Sequence, residues 1–77
     1  MRIAVLGMGC PKCQELYDAA ETAAEELKLN FVMEKVTDIN KIISYGVSVT
    51  PALVVDGKVV SAGNVPSKEK IKKLLGY

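Results

Sequence analysis

Two cysteines separated by two residues, Cys10-Pro11-Lys12-Cys13, carry the only obvious reactive chemistry in this chain. A cysteine reacts as its thiolate, and an ordinary thiol is mostly protonated at neutral pH, so the surroundings decide whether such a pair is active. Thiols at this spacing support two chemistries: reversible disulfide exchange, or the holding of a soft metal ion. The chain contains no histidine. That removes imidazole as a base for either sulfur, and with it every metal site that needs a His ligand. Buried cysteines also occur as plain packing residues, but two of them in a glycine- and proline-bearing loop point to function.

The neighbouring elements give the two sulfurs unequal jobs. Ile3-Ala4-Val5-Leu6 is a continuous apolar run of strand length, stopped by Gly7; a strand with no polar alternation is expected to be buried on both faces. From Pro11 to about Lys28 the period becomes helical. Leu16, Ala20, Ala23, Ala24 and Leu27 form the apolar stripe, with Glu15, Asp18, Glu21, Glu25 and Glu26 outside it. Pro11 suits the first helical position, where its missing N–H costs nothing. Cys10 is then the N-cap and Cys13 lies one turn inside. At the N-cap, unpaired backbone N–H groups and the positive end of the helix dipole favour a thiolate. Lys12 adds a nearby cation. Cys13 is more enclosed and is placed to attack a mixed disulfide formed at Cys10. The spacing thus predicts Cys10 as nucleophile and Cys13 as resolving thiol, with Pro11 stiffening the loop between them.

Further along, Asn30 is expected to break the helix and Phe31 to Val36 to form a second strand. Thr37 or Asp38 caps a short helix carrying Ile39, Ile42 and Ile43 at i, i+3, i+4, closed by Gly46. Val47 to Pro51 reads as an extended connector, because a residue before proline avoids the helical region. Ala52 to Val55 and Lys58 to Ser61 flank Asp56-Gly57, a strong hairpin signal. Pro66-Ser67 opens a last helix with Ile71, Leu74 and Leu75 buried. The order β-α-β-α-β-β-α predicts an α/β fold, a four-stranded mixed sheet flanked by three helices, in a single domain over residues 1–77.

Size and charge narrow the function classes. A chain of 77 residues fills its core with its own side chains and leaves no volume for a deep substrate cavity, which favours surface chemistry on a macromolecule. A net charge of +1 supplies no field for steering onto nucleic acid or membrane. The cluster Lys68, Lys70, Lys72 and Lys73 has no interleaved aromatics and reads as a solvated helix face. The apolar run after Met1-Arg2 is too short for a cleavable leader or a membrane span, so the cytoplasm is expected. There a CxxC pair is catalytic or metal-binding rather than a structural staple. No cofactor is expected, and nothing in the pattern calls for a dimer, so a monomer is.

A strand, then CxxC at a helix N-terminus, then Thr50-Pro51 directly before a hairpin strand: over essentially its whole length the chain resembles the thioredoxin fold. It is most similar to the very small thioredoxin/glutaredoxin-like redox-active disulfide proteins of prokaryotes. The resemblance implies that Pro51 is a cis-proline beside the active disulfide, keeping the loop in shape and shielding the thiols from metals. It implies that the backbone at Thr50 pairs with the substrate chain, and that Gly63 allows close approach near the active loop. It also implies a dithiol–disulfide oxidoreductase acting on protein disulfides, with electrons from a flavoprotein disulfide reductase. Departures from the pattern are informative. Met8-Gly9 stands where thioredoxins have a tryptophan-containing approach, and Ala4 stands where they bury a carboxylate. The stretch from Ser61 to Ser67 lacks the Gly-Gly and following aspartate that glutaredoxins use to hold glutathione, so glutathione is not an expected partner. Tyr17 and Tyr45 are the aromatics that could touch the site.

The loop Gly7-Met8-Gly9-Cys10-Pro11-Lys12-Cys13 also resembles that of the heavy-metal-associated domains, the copper and zinc chaperones. In that alternative Cys10 and Cys13 hold a soft ion and Met8 is buried support for the loop. Element order separates the two. A metallochaperone runs β-α-β-β-α-β and ends on a strand, whereas this chain puts its hairpin late and ends on a helix.

Overall fold

A computed structural model describes residues 1–9 and 11–76. Its elements are β1 (Arg2–Leu6), α1 (Pro11–Glu26), β2 (Val32–Val36), α2 (Ile39–Ser44), β3 (Ala52–Val55), β4 (Lys58–Ala62) and α3 (Lys68–Leu74). The sheet has four strands in the order β2-β1-β3-β4. β1 runs parallel to β2 and antiparallel to β3, and β3 runs antiparallel to β4. This is the α/β thioredoxin-like architecture expected from the sequence, with its mixed sheet and three helices.

The two central strands alternate between two unequal cores. Ile3 and Val5 of β1 and Leu53 of β3 meet Leu16, Ala20, Ala23 and Ala24 of α1 and Ile71 and Leu75 at α3. On the other side Ala4 and Leu6, with Ala52 and Val54, meet Val36 and Ile42, and the partly buried Val47 packs against them. Alanines along α1 let that helix lie close against the sheet, since they bring no bulk and fit a helix well.

Some boundaries and one burial pattern depart from the sequence reading. α1 ends at Glu26, two residues before Lys28. Lys28 takes a left-handed conformation (φ 55), and Lys28 N–H and Leu29 N–H bond back to the carbonyls of Glu25 and Ala24 at 3.0 and 3.2 Å. That is a Schellman closure with lysine where glycine is usual, so the helix stops before Asn30 is reached. β2 begins at Val32, leaving Phe31 outside. In α2, Asp38 is the N-cap, its side chain accepting from Asn40 N–H at 2.9 Å. Of the expected stripe, however, only Ile42 is buried; Ile39 and Ile43 are 56% and 62% exposed. The cause is the short helix over a narrow floor of small side chains, which offers room for one anchor.

The hairpin forms as expected. Asp56 (φ 49) and Gly57 (φ 84) both have positive φ, as a type I′ turn requires. Asp56 also ties the hairpin to β1: its N–H donates to Arg2 O and its carboxylate accepts from Arg2 N–H, each at 2.8 Å. The β3–β4 register slips once, with Val54 opposite Val59 but Leu53 opposite Ser61. Val60 is therefore an extra residue, a bulge that the hydrophobic pattern does not reveal. Ser67 caps α3, its hydroxyl accepting from Lys70 N–H at 3.3 Å; Ile71 and Leu75 are buried, while Leu74 is only half-buried.

Candidate functional site

The site lies where β1 leaves the sheet. Gly7 N–H still donates to Val36 O at 3.0 Å, so the β1–β2 ladder runs up to the edge of the cysteine loop. Pro11 opens α1 at its first position, consistent with a ring that needs no N–H partner there. Cys13, one turn in, is buried at 6% exposure. The expected N-cap role of Cys10, and so its relation to Cys13, lies outside the described residues.

Gly7 is what lets Cys13 in. A Cβ on Gly7 would overlap Cys13 Sγ, lie 3.1 Å from Cys13 Cβ and stand 4.0 Å from Thr50 Cβ. Three separated parts of the chain therefore converge here: the end of β1, the first turn of α1 and the connector before β3. Thr50 is exposed and Pro51 is fully buried beside it; the Thr50–Pro51 peptide bond is cis.

Gly63 belongs to the same neighbourhood by a different route. Its N–H donates to Pro51 O at 2.9 Å, and a Cβ there would come within 3.1 Å of Val49 Cγ2. Its close approach is thus to the connector Val49–Pro51. Lys12 and Pro11 are exposed at the helix start. Met8 is 64% exposed, the opposite of the buried support that the metallochaperone alternative requires. The chain also closes on α3 among its described residues, which is not the β-α-β-β-α-β order.

Other side chains border Cys13 without any signal in the sequence pattern. A small cavity of about 130 Å³ is bounded by Cys13, Gln14, Lys35 and Thr37 together with the glycine loop. Lys35 Nζ donates to Gln14 Oε1 and lies 4.9 Å from the centre of the Tyr17 ring. Tyr17 is therefore near the site through Lys35. Tyr45 is not: it lines a shallow hollow of about 570 Å³ on the α2 side, with Arg2, Ala4, Glu34 and Asp56. Ala4 faces that hollow, on the opposite side of β1 from Val5, which borders the Cys13 cavity. Lys35 and Thr37 could be found only by knowing that β2 lies parallel beside β1, since open α/β sheets place their sites past the carboxyl ends of such strands.

Comparison with known proteins agrees with this geometry. The family model described as "Thioredoxin domain" matches residues 1–76. A thioredoxin of Methanothermobacter thermautotrophicus is 40% identical over 75 residues, covering 97% of each chain. A thioredoxin of Methanocaldococcus jannaschii is 42% identical over 73 residues, 95% of this chain and 84% of that one.

Proposed function

Because this chain belongs to the thioredoxin-domain family, we propose that it is a dithiol–disulfide oxidoreductase working on protein disulfides through Cys10 and Cys13. The observation that carries this reading is the seating of Cys13. It is buried against a glycine that has no room for a side chain, next to the exposed Thr50 and the buried Pro51.

The exchange runs in two displacements. Cys10 thiolate attacks a client disulfide, forming a mixed disulfide and expelling one client sulfur as thiolate. Cys13 thiolate then attacks the Cys10 sulfur, closing the Cys10–Cys13 disulfide and releasing the second client thiolate. Two electrons pass from the chain's dithiol to the client, and the protons lost by Cys10 and Cys13 balance those taken up by the client. Burial suits Cys13 to the second step, because its sulfur is shielded from direct attack on an incoming client.

In this reading Pro11 restrains the loop and Lys12 contributes a solvent-screened positive charge. The exposed backbone at Thr50 pairs with the extended client, Pro51 guards the thiols, and Gly63 holds the Pro51 carbonyl in place. The oxidised form is returned to the dithiol by a flavoprotein disulfide reductase, glutathione not being the donor. The protein acts as a monomer in the reducing cytoplasm.

The test is reduction of insulin disulfides by the reduced chain. Turnover in the unsubstituted protein and its loss in Cys10→Ser are expected. No turnover, or undiminished turnover in Cys10→Ser, would sink the proposal; so would a stoichiometric soft metal ion bound through both sulfurs after purification under reducing conditions.

A further inference from the structure

The connector that presents Thr50 is gripped at two points by glycines from distant parts of the chain. On the β1 side, Thr50 Cβ lies 4.0 Å from where a Cβ on Gly7 would be. On the β4 side, Gly63 N–H donates to Pro51 O at 2.9 Å. A Cβ on Gly63 would lie 3.1 Å from Val49 Cγ2 and 3.7 Å from Val49 Cβ, so the isopropyl group rests on the bare glycine. The turn carrying Gly63 is itself tied, since the Ser61 hydroxyl donates to Asn64 Oδ1 at 3.1 Å. One side of Val49 is therefore seated, yet the residue as a whole is 52% exposed. Branching at Cβ restricts the rotamer, so a valine seated on one side holds its open side in a fixed direction. It stands one residue before the exposed Thr50. Its surroundings are uncharged: neither Val47 to Pro51 nor Ala62 to Val65 contains an ionisable side chain.

We propose that Val49, seated on Gly63, is a specificity-determining residue: its open side receives an apolar side chain from the client residue next to the disulfide, and it turns away a charged one. This rests on the oxidoreductase reading above, in which the client runs extended along Thr50. An apolar client side chain laid on Val49 removes apolar surface from water on both partners, and that burial favours the complex. A carboxylate or ammonium in the same place gives up hydration and meets no counter-charge from either segment, which costs free energy. Gly63 serves the ledge by having no side chain, because a β-carbon there would push Val49 off its seat. Val49 takes no part in the bond exchange, and sulfurs, electrons and protons follow the two displacements given above.

The experiment titrates the reduced full chain, followed by amide NMR, with two matched extended peptides. Each carries serine in place of the reactive cysteine, and they differ only in the next residue, Leu or Asp. The Leu peptide is expected to bind about tenfold more tightly. Val49→Thr keeps the branched shape but replaces a methyl with a hydroxyl, and should narrow that ratio about threefold. Val49→Ile should preserve it, and Val49→Lys should turn the preference toward the Asp peptide. Val32→Thr makes the same chemical change at a valine of β2 that is 64% exposed and pairs with Arg2 at the far end of β1; it should leave the ratio in place. Equal affinity for the two peptides, binding of neither, an unchanged ratio in Val49→Thr, or equal narrowing in Val32→Thr would each overturn the assignment. Because this readout needs no turnover, it judges Val49 separately from insulin reduction, which judges the oxidoreductase reading. In reduction of the corresponding peptide disulfides, Val49→Thr should raise KM for the Leu peptide about threefold with kcat unchanged. A fall in kcat at constant KM would make Val49 a support of the cysteine loop and would likewise overturn it.

Discussion

Gly7 and Cys13 meet so closely that one hydrogen on Gly7 is all the space allows. The restriction is steric and does not involve an unusual backbone angle, so it makes a sharp prediction. In Gly7→Ala the new methyl must displace the sulfur or push the first turn of α1 away from β1. Overpacking of this kind costs about 1–3 kcal/mol, measurable as a loss of unfolding free energy in denaturant. Exchange activity should fall by more than the folded fraction does, because in the proposed mechanism the displaced atom is the resolving sulfur. A Gly7→Ala protein with full stability and full activity would show that Cys13 is not held where the structure places it. The spacing of Cys10 and Cys13 is visible in the sequence, and so is the glycine. What the sequence does not show is that Gly7 faces Cys13, because that depends on how α1 folds back over β1. Gln14, Lys35 and Thr37 were hidden for the same reason: none belongs to a motif, and they meet at the cavity only through the β1–β2 pairing and the fold of α1.

Among the elements, α2 shows how far a periodic pattern can be trusted. Its three isoleucines have the spacing of a buried stripe, yet the helix is six residues long and rests on small side chains of the sheet. Only Ile42 reaches the core. Ile42→Ala is therefore expected to destabilise the protein by about 2–4 kcal/mol, as large-to-small changes in a packed core do. Ile39→Ala and Ile43→Ala should each stay within about 0.5 kcal/mol, the range of exposed positions. Thermal or denaturant melts of the three variants decide the matter; equal losses at all three would contradict the placement of α2. α1 and the hairpin were easier to read. α1 has a long stripe that finds a full-width partner, and Asp56-Gly57 encodes its turn locally through two positive φ values. The bulge at Val60 was not readable, since a one-residue register slip leaves the composition of β4 unchanged.

For the whole molecule, the layers are fastened unevenly. The side holding α1 and α3 has the larger core, and it is clasped at its rim by Glu26, whose carboxylate accepts from Lys68 Nζ at 2.8 Å and Lys72 Nζ at 2.7 Å. These hydrogen bonds lower the Glu26 pKa from an ordinary 4.5 to about 2, against a smaller opposing effect of burial. The hydrogen bond to Glu26 likewise raises the Lys72 pKa. A carboxyl that is more acidic when folded contributes stability above its unfolded pKa and loses it as pH falls through the folded one. The melting temperature should therefore drop between about pH 4.5 and pH 2, and Glu26→Gln should flatten that part of the profile while changing little at neutral pH. A profile with the same slope in both proteins would remove Glu26 from the account. Lys72 works in the opposite sense: its contribution is present below its ordinary 10.5 and is lost as pH rises past it. Because the pair is solvent-exposed, the effect is expected to be small and weakened by salt.

The sequence by itself determined the thioredoxin-like order of elements, the CxxC pair at a helix start, and the proline before the hairpin. Each of these is written in local spacing, turn chemistry or a family pattern. Only the tertiary structure decided that Gly7 makes room for Cys13, that Thr50 reaches the same place, and that Lys35 is drawn in from the sheet edge. These contacts join residues far apart in the chain. Their geometry follows from strand pairing and from how closely α1 can lie on β1, quantities that no single stretch of sequence contains.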